Sequence, residues 1–183
     1  MWDVRESCGK PVSKCNIFNG GVTYIMQAQR NNQYIEGYSE NHILASSYDE
    51  RIYVLDKRNL KRSLKESKKM DGNKIKLFVK FLVMDRCKYN NVKKGGVWKM
   101  KLHEEKDLLL CACMHTGAHV VDAHSLKSEL YYDKHGLDNL VYGCDWKPAS
   151  MKKQGVDSLN PVATVATCSF YNHSLRVWNL FNK

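Results

Sequence analysis

Three twelve-residue blocks of this chain repeat one pattern, and a repeat of that kind leaves few folds open. The blocks are ASSYDERIYVLD at 45–56, CACMHTGAHVVD at 111–122 and CSFYNHSLRVWN at 168–179, and they align without a gap. They end on Asp56, Asp122 and Asn179. Val54, Val120 and Val177 stand two places earlier, and Asp49, His115 and Asn172 share the fifth place. Each block runs from small or apolar residues through a polar stretch into a second alternating run. Period-two alternation of β-branched and aromatic residues predicts strands, so each block reads as a hairpin. A further strand precedes each one, in GGVTYIMQ, GGVWKMKL and NLVYGCDW, and SELYYD from Ser128 supplies a fourth strand after the second hairpin.

The spacing narrows the architecture. Asp56 to Asp122 is 66 residues and Asp122 to Asn179 is 57. Residues 68–94 form a 27-residue basic stretch, and removing it reduces the first distance to 39. Repeats of ~40–45 residues that end in a W-D-like pair mark the blades of WD-repeat propellers. Here the pairs are Leu55-Asp56, Val121-Asp122 and Trp178-Asn179, and Trp2-Asp3 looks like the end of another repeat. Small residues such as Ala45, Ser46, Ala112, Cys113, Ala166 and Cys168 suit the tight space between blades. The expected fold is therefore all-β: one WD-repeat β-propeller unit over residues 1–183, of four-stranded antiparallel meanders. It is incomplete, with about three to three and a half blades where closed rings have about four to eight. That count fits the C-terminal part of a longer propeller. A self-associating half-propeller is the other arrangement that covers the blade faces. The 68–94 segment is expected to be a solvated loop or a retained intron in the gene.

Composition excludes several classes. The formal net charge is +10, but residues 68–94 hold nine Lys and Arg against two acidic residues, so +7 of it sits there. A charge confined to one segment does not describe a nucleic-acid-binding face of the whole fold. The seven cysteines contain no CxxC pair, so they read as reduced, small apolar residues of an intracellular protein, without a metal site. The start, MWDVRESCGK, has no apolar signal core, and runs such as LLLCACM are too short to span a bilayer.

Particular strings go beyond generic repeats. GGVWKMKLHEEKDLLLCACMHTG (95–117), LVYGCDW (140–146) and VATCSFYNHSLRVWN (165–179) resemble the diphthine methyl ester hydrolase family of diphthamide biosynthesis, historically called diphthine methyltransferases. HILASSYDERIYVLDKRNLKRSL (42–64) resembles the preceding blade. The chain departs from that family in lacking N-terminal blades and in carrying residues 68–94. The resemblance implies a cytoplasmic enzyme that hydrolyses the methyl ester of methylated diphthine on translation elongation factor 2. That reaction needs no cofactor and no direct nucleic-acid or membrane partner. A non-catalytic WD-repeat scaffold and an inactive truncated form are the alternatives.

Ester hydrolysis needs a base and donors for an oxyanion. In a meander, the start of the first strand and the turn between the second and third share one rim. Asp49, His115, Asn172 and His173 therefore face the same way as Gly95 and Gly96. His115 is the first candidate base and His173 the second, although Asp, Asn and His also serve tight turns through local hydrogen bonds. Gly95 and Gly96 are candidates for N–H donors to an oxyanion, or simply permit the turn. Cys113 and Cys168 suit the core better than a nucleophile's role. Asp145 falls toward the other rim. No Gly-x-Ser-x-Gly elbow is present. The family's substrate carries a quaternary ammonium, which Trp98, Tyr142 and Tyr171 are placed to face through cation–π contact, if they are not core aromatics.

Overall fold

The structure is a computed structural model that describes residues 13–70, 95–136, 138–147, 161 and 163–181. Among the described residues there are strands and turns but no α-helix. No helix among them is long and apolar enough to cross a membrane. The first sheet runs β1 (Val22–Met26), β4 (His42–Ser47), β5 (Ile52–Asp56) and β6 (Lys65–Glu66) in spatial order. Between β1 and β4 the chain makes an extra hairpin, β2 (Gln29–Arg30) and β3 (Gln33–Tyr34). Its turn is Asn31-Asn32, both at positive φ, a backbone that asparagine tolerates well. The second sheet is a plain meander of β7 (Lys99–Leu102), β8 (Leu108–Ala112), β9 (Ala118–Asp122) and β10 (Ser128–Tyr132). The third has β11 (Val141–Trp146), β12 (Ala163–Ser169) and β13 (Ser174–Leu180).

The sheets stack face to face because their strands alternate. On the second sheet, Leu109, Cys111 and Val121 pack with Leu44, Ile52 and Val54 of the first. The residues between them, Leu110, Ala112 and Val120, pack with Val141, Cys144, Trp146 and Val165 of the third. A sheet buried on both faces loses its polar alternation, which is why LLLCACM reads as one apolar run. The outer face of the first sheet, with Ala45, Tyr53 and Leu55, is covered by Cys15, Ile17 and Phe18. The far face of the third sheet is bare: Leu175 is 70% exposed and Val177 65%. Three antiparallel sheets stacked this way make an all-β, incomplete propeller-like fold, in which the described sheets do not close a ring.

The structure corrects the gap-free alignment of the three blocks. Ser47 and Cys113 each close a turn with three residues between the bonded positions, through Ser47 N–H to Arg51 O and Cys113 N–H to Gly117 O. In the third sheet the last pair is Ser169 with Ser174, leaving four residues between them. Val177 therefore pairs with Ala166 rather than with the residue that a gap-free count would place there. This register puts Cys168, Leu175 and Val177 on the bare face, where Ala112, Ala118 and Val120 of the second sheet are buried. Of the basic stretch, Lys68 to Met70 are described. Met70 is buried in the first inter-sheet core, while 71–94 lie outside the described residues, as does Trp2-Asp3.

The rim away from the hairpin turns holds a polar clasp between the first two sheets. Asp107 forms ion pairs with Arg30 at 2.8 Å and with His124 at 2.8 Å. Lys65 of β6 donates to the backbone O of His124, and Tyr38 donates to Ala123 O at 2.5 Å.

His119 on β9 sits inside the second sheet, with Nδ1 2.9 Å from Ser128 Oγ and no partner for Nε2 among the described residues. Burial pushes its pKa down to about 4 from 6.5. The folded state therefore binds this proton more weakly than the unfolded chain does. Stability is complete above pH ~6.5 and falls as the pH drops toward ~4, by about 3 kcal/mol in all. Urea midpoints across that window should show the slope, and His119→Gln, which cannot titrate, should reduce it, leaving the smaller share of His135 and His103, whose pKa values burial also lowers.

Candidate functional site: the aromatic rim

At the other rim lie the three hairpin turns and the starts of the three inner strands. Backbone bonds stitch them together across the sheets. Val97 N–H donates to Ser47 O at 3.1 Å, so the first turn holds the second inner strand. Met114 and Val141 exchange two bonds of 3.1 and 3.0 Å, so the second turn holds the third inner strand. Within single sheets, Tyr48 N–H donates to Gly21 O and Phe170 N–H to Leu140 O. Side chains presented here stand on a fixed frame.

Two glycines allow this close approach. A Cβ on Gly95 would stand 2.3 Å from Cys113 O and 3.0 Å from His115 N, in the turn of its own sheet. A Cβ on Gly96 would stand 2.7 Å from Tyr48 Cα, in the turn of the preceding sheet. Gly20 is the first-sheet counterpart of Gly95 and lies against Tyr48 and Asp49.

On this frame runs a row of aromatic rings that crosses all three sheets. Tyr48 meets Trp98 with centroids 5.9 Å apart, Trp98 meets Tyr142 at 5.1 Å, Tyr142 meets Phe170 at 6.4 Å, and Phe170 meets Tyr171 at 5.4 Å. Every step is edge-to-face, the arrangement that ring quadrupoles favour. The row is open to solvent, with Tyr48 47%, Phe170 68% and Tyr171 61% exposed. The Tyr142 phenol is pushed up by burial and by the neighbouring phenols of Tyr171 and Tyr48. It stays protonated at neutral pH, so the row offers ring faces and neutral hydroxyls rather than charge. Such faces attract cations, quaternary ammonium above all.

Trp98, Tyr142 and Tyr171 thus fall in one row, joined by Tyr48 and Phe170, which the sequence reading missed. Tyr48 directly precedes Asp49, in the turn position already marked by the repeat. The extra residue of the third turn places both Phe170 and Tyr171 in the row.

His115 is half-buried and engaged in its own contacts. It follows Met114, whose backbone bridges Val141 beside Tyr142. His173 is exposed at φ +52°, and its N–H closes the third turn on Phe170 O at 3.2 Å. Asp49 is used up locally: it accepts from Tyr53 OH at 2.6 Å, from Asn19 N–H at 3.0 Å and from Arg51 N–H at 3.2 Å. Cys113 is fully buried and its thiol is pushed well up by burial, so it is inert. Cys168 lies exposed on the bare face of the third sheet. Asp145 pairs with Lys101 at 3.4 Å, at the opposite end of β11.

A second histidine escaped the sequence reading. His135 is buried, with Nδ1 3.2 Å from Ser169 Oγ and Nε2 2.9 Å from Thr167 Oγ1. Trp178 Nε1–H donates to Thr167 at 3.3 Å and Ser169 O–H donates to Asn172 Oδ1. These directions fix the protons: Trp178 to Thr167 to His135 Nε2, then His135 Nδ1–H to Ser169 to Asn172. Burial, and then Arg176, push the imidazole pKa down, which keeps it neutral. Serine and imidazole within bonding reach are the parts of a nucleophile and its base. Here both are buried and the serine proton is committed to Asn172, so the chain props up the third turn from behind. Among the described residues no group of three His, Cys, Asp or Glu side chains is placed to hold a metal.

No protein-family model matches the chain. Curated proteins resemble it. Diphthine methyltransferase of Saccharomyces cerevisiae is 30% identical over 179 residues, 91% of this chain and 38% of that protein. Diphthine methyltransferase of Homo sapiens is 34% identical over 112 residues, 57% of this chain and 20% of that protein. A diphthine methyltransferase homolog of Dictyostelium discoideum is 26% identical over 148 residues, 76% and 32% respectively. The chain spans well under half the length of each relative. Over nine-tenths of its own length, this chain is similar to the diphthine methyltransferase of Saccharomyces cerevisiae.

Proposed function

We propose that the chain works in diphthamide biosynthesis as a WD-repeat carboxylic ester hydrolase of the cytoplasm. Its substrate is methylated diphthine on elongation factor 2, and its products are the free carboxylate and methanol. The exposed aromatic row on a stitched rim is the observation that carries this reading. Methylated diphthine bears a quaternary ammonium beside its ester, and the faces of Trp98, Tyr142 and Tyr171, with Tyr48 and Phe170, suit that cation. His115, in the turn that bridges to Val141 beside Tyr142, is the base that draws a proton from the attacking water. His173 is the alternative base. Gly95 lies against the His115 turn and Gly96 against the Tyr48 turn, and their N–H groups are the candidate donors to the oxyanion.

Mass spectrometry of elongation factor 2 bearing methylated diphthine, before and after incubation with the 183-residue chain, tests the reading. Conversion to the free acid is expected. His115→Ala should lower the rate about a hundredfold or more, the usual worth of a general base. A folded chain that binds the factor and leaves the ester intact would instead be a scaffold.

A further inference from the structure

The outer edge of the first sheet carries charge that the rim chemistry does not use. Residues 57–69 hold seven Lys and Arg against one acidic residue, Glu66. Both nearby carboxylates are already committed. Asp56 takes the Arg58 guanidinium on both oxygens, and this bonding holds its pKa down to about 2. Glu66 accepts from Arg51 at 2.9 Å and from Ser63 at 2.6 Å. Among the described residues no carboxylate pairs with Lys61, Arg62, Lys68 or Lys69, and all four are exposed.

This is not a loose basic tail. Leu60, Ser67 and Met70 are buried and fix the backbone at intervals. Leu64 N–H donates to Val54 O, Ser67 N–H to Ile52 O and Met70 N–H to Glu50 O, all within 2.9 Å. The cations Lys61, Arg62, Lys68 and Lys69 therefore flank the short strand β6 on anchored backbone. That strand, β6, ends its sheet, with no strand beside its far edge among the described residues. Amid the charge, Leu64 is 52% exposed.

Lysine at a sheet edge repels unwanted strands, but one or two suffice for a strand of two residues. A fixed cluster with open backbone and an apolar seat fits something more specific. We infer that this edge docks an acidic, extended segment of a protein partner. The segment adds as a strand beside β6, its carboxylates meet Lys61, Arg62, Lys68 and Lys69, and an apolar side chain covers Leu64. A nucleic-acid backbone fits less well. It has no apolar group for Leu64 and no use for the open strand edge, and 57–69 contain no aromatic ring for base stacking. The inference is independent of the ester chemistry.

The test uses the 183-residue chain and a fluorescein-labelled peptide of alternating glutamate and valine, followed by anisotropy. A lysine–valine peptide and a labelled RNA duplex of matched length are the comparisons. The acidic peptide should bind, weaken as salt rises, and lose about tenfold or more in affinity with Lys61→Glu, Arg62→Glu and Lys68→Glu combined. Amide exchange at Lys65 and Glu66 should slow in the complex. Binding that survives the charge reversal, tighter binding of the duplex, or a complex with no slowing at β6 would each overturn the inference. Should the triple variant misfold, the salt titration and the exchange data on the unaltered chain still decide.

Discussion

Trp98→Ala is expected to lower kcat/KM for ester hydrolysis about thirtyfold, with little loss of fold. Trp98 is the joint of the aromatic row, in edge-to-face contact with Tyr48 on one side and Tyr142 on the other. Removing it deletes one cation-binding face and frees two others to rotate. A desolvated cation–π contact is worth about 2 kcal/mol, which is close to thirtyfold in rate constant. The ring is 37% exposed, so its loss opens no cavity in the core. Trp98→Phe keeps a ring in place and should recover most of the activity. Steady-state kinetics of both variants beside a thermal melt separate the two effects. A stable alanine variant with unchanged kcat/KM would remove the row from the account.

Gly95→Ala should cost about 3 kcal/mol of stability, at the upper end for overpacking. The added Cβ meets backbone rather than a movable side chain, at 2.3 Å from Cys113 O. That oxygen cannot swing away, because it accepts the N–H and the hydroxyl of Thr116, both at 2.9 Å. Alanine retains the N–H, so the substitution separates two roles for Gly95. If the N–H to an oxyanion were all that mattered, the urea midpoint would be unmoved. If close approach to the His115 turn matters, the midpoint falls, and any activity lost follows from a displaced turn.

Much of this fold was legible because alternation and burial are the same fact seen twice. Leu109, Cys111 and Val121 face one neighbour, and Leu110, Ala112 and Val120 face the other. The shared rim of Asp49 and His115 with their glycines also followed from meander geometry. Gly20 beside Asp49 and Gly95 beside His115 bear it out. The extra residue in the third turn was hidden because a twelve-residue block counts residues, whereas pairing counts hydrogen bonds. The β2–β3 hairpin was hidden because two-residue strands are too short to show a period. His135 stands outside every repeat block, so only the bonds to Ser169 and Thr167 reveal what it supports. Tyr48 and Phe170 could be placed with Trp98 and Tyr142 only once neighbouring sheets were set side by side.

The central claim is that the aromatic rim is the surface that meets the modified side chain. Amide hydrogen exchange of the chain, alone and with elongation factor 2 bearing methylated diphthine, tests it most directly. Slower exchange is predicted at 47–50, 96–98, 114–116, 140–142 and 169–173. Slowing confined to the opposite rim, at 29–34, 103–107 and 122–127, would contradict the account.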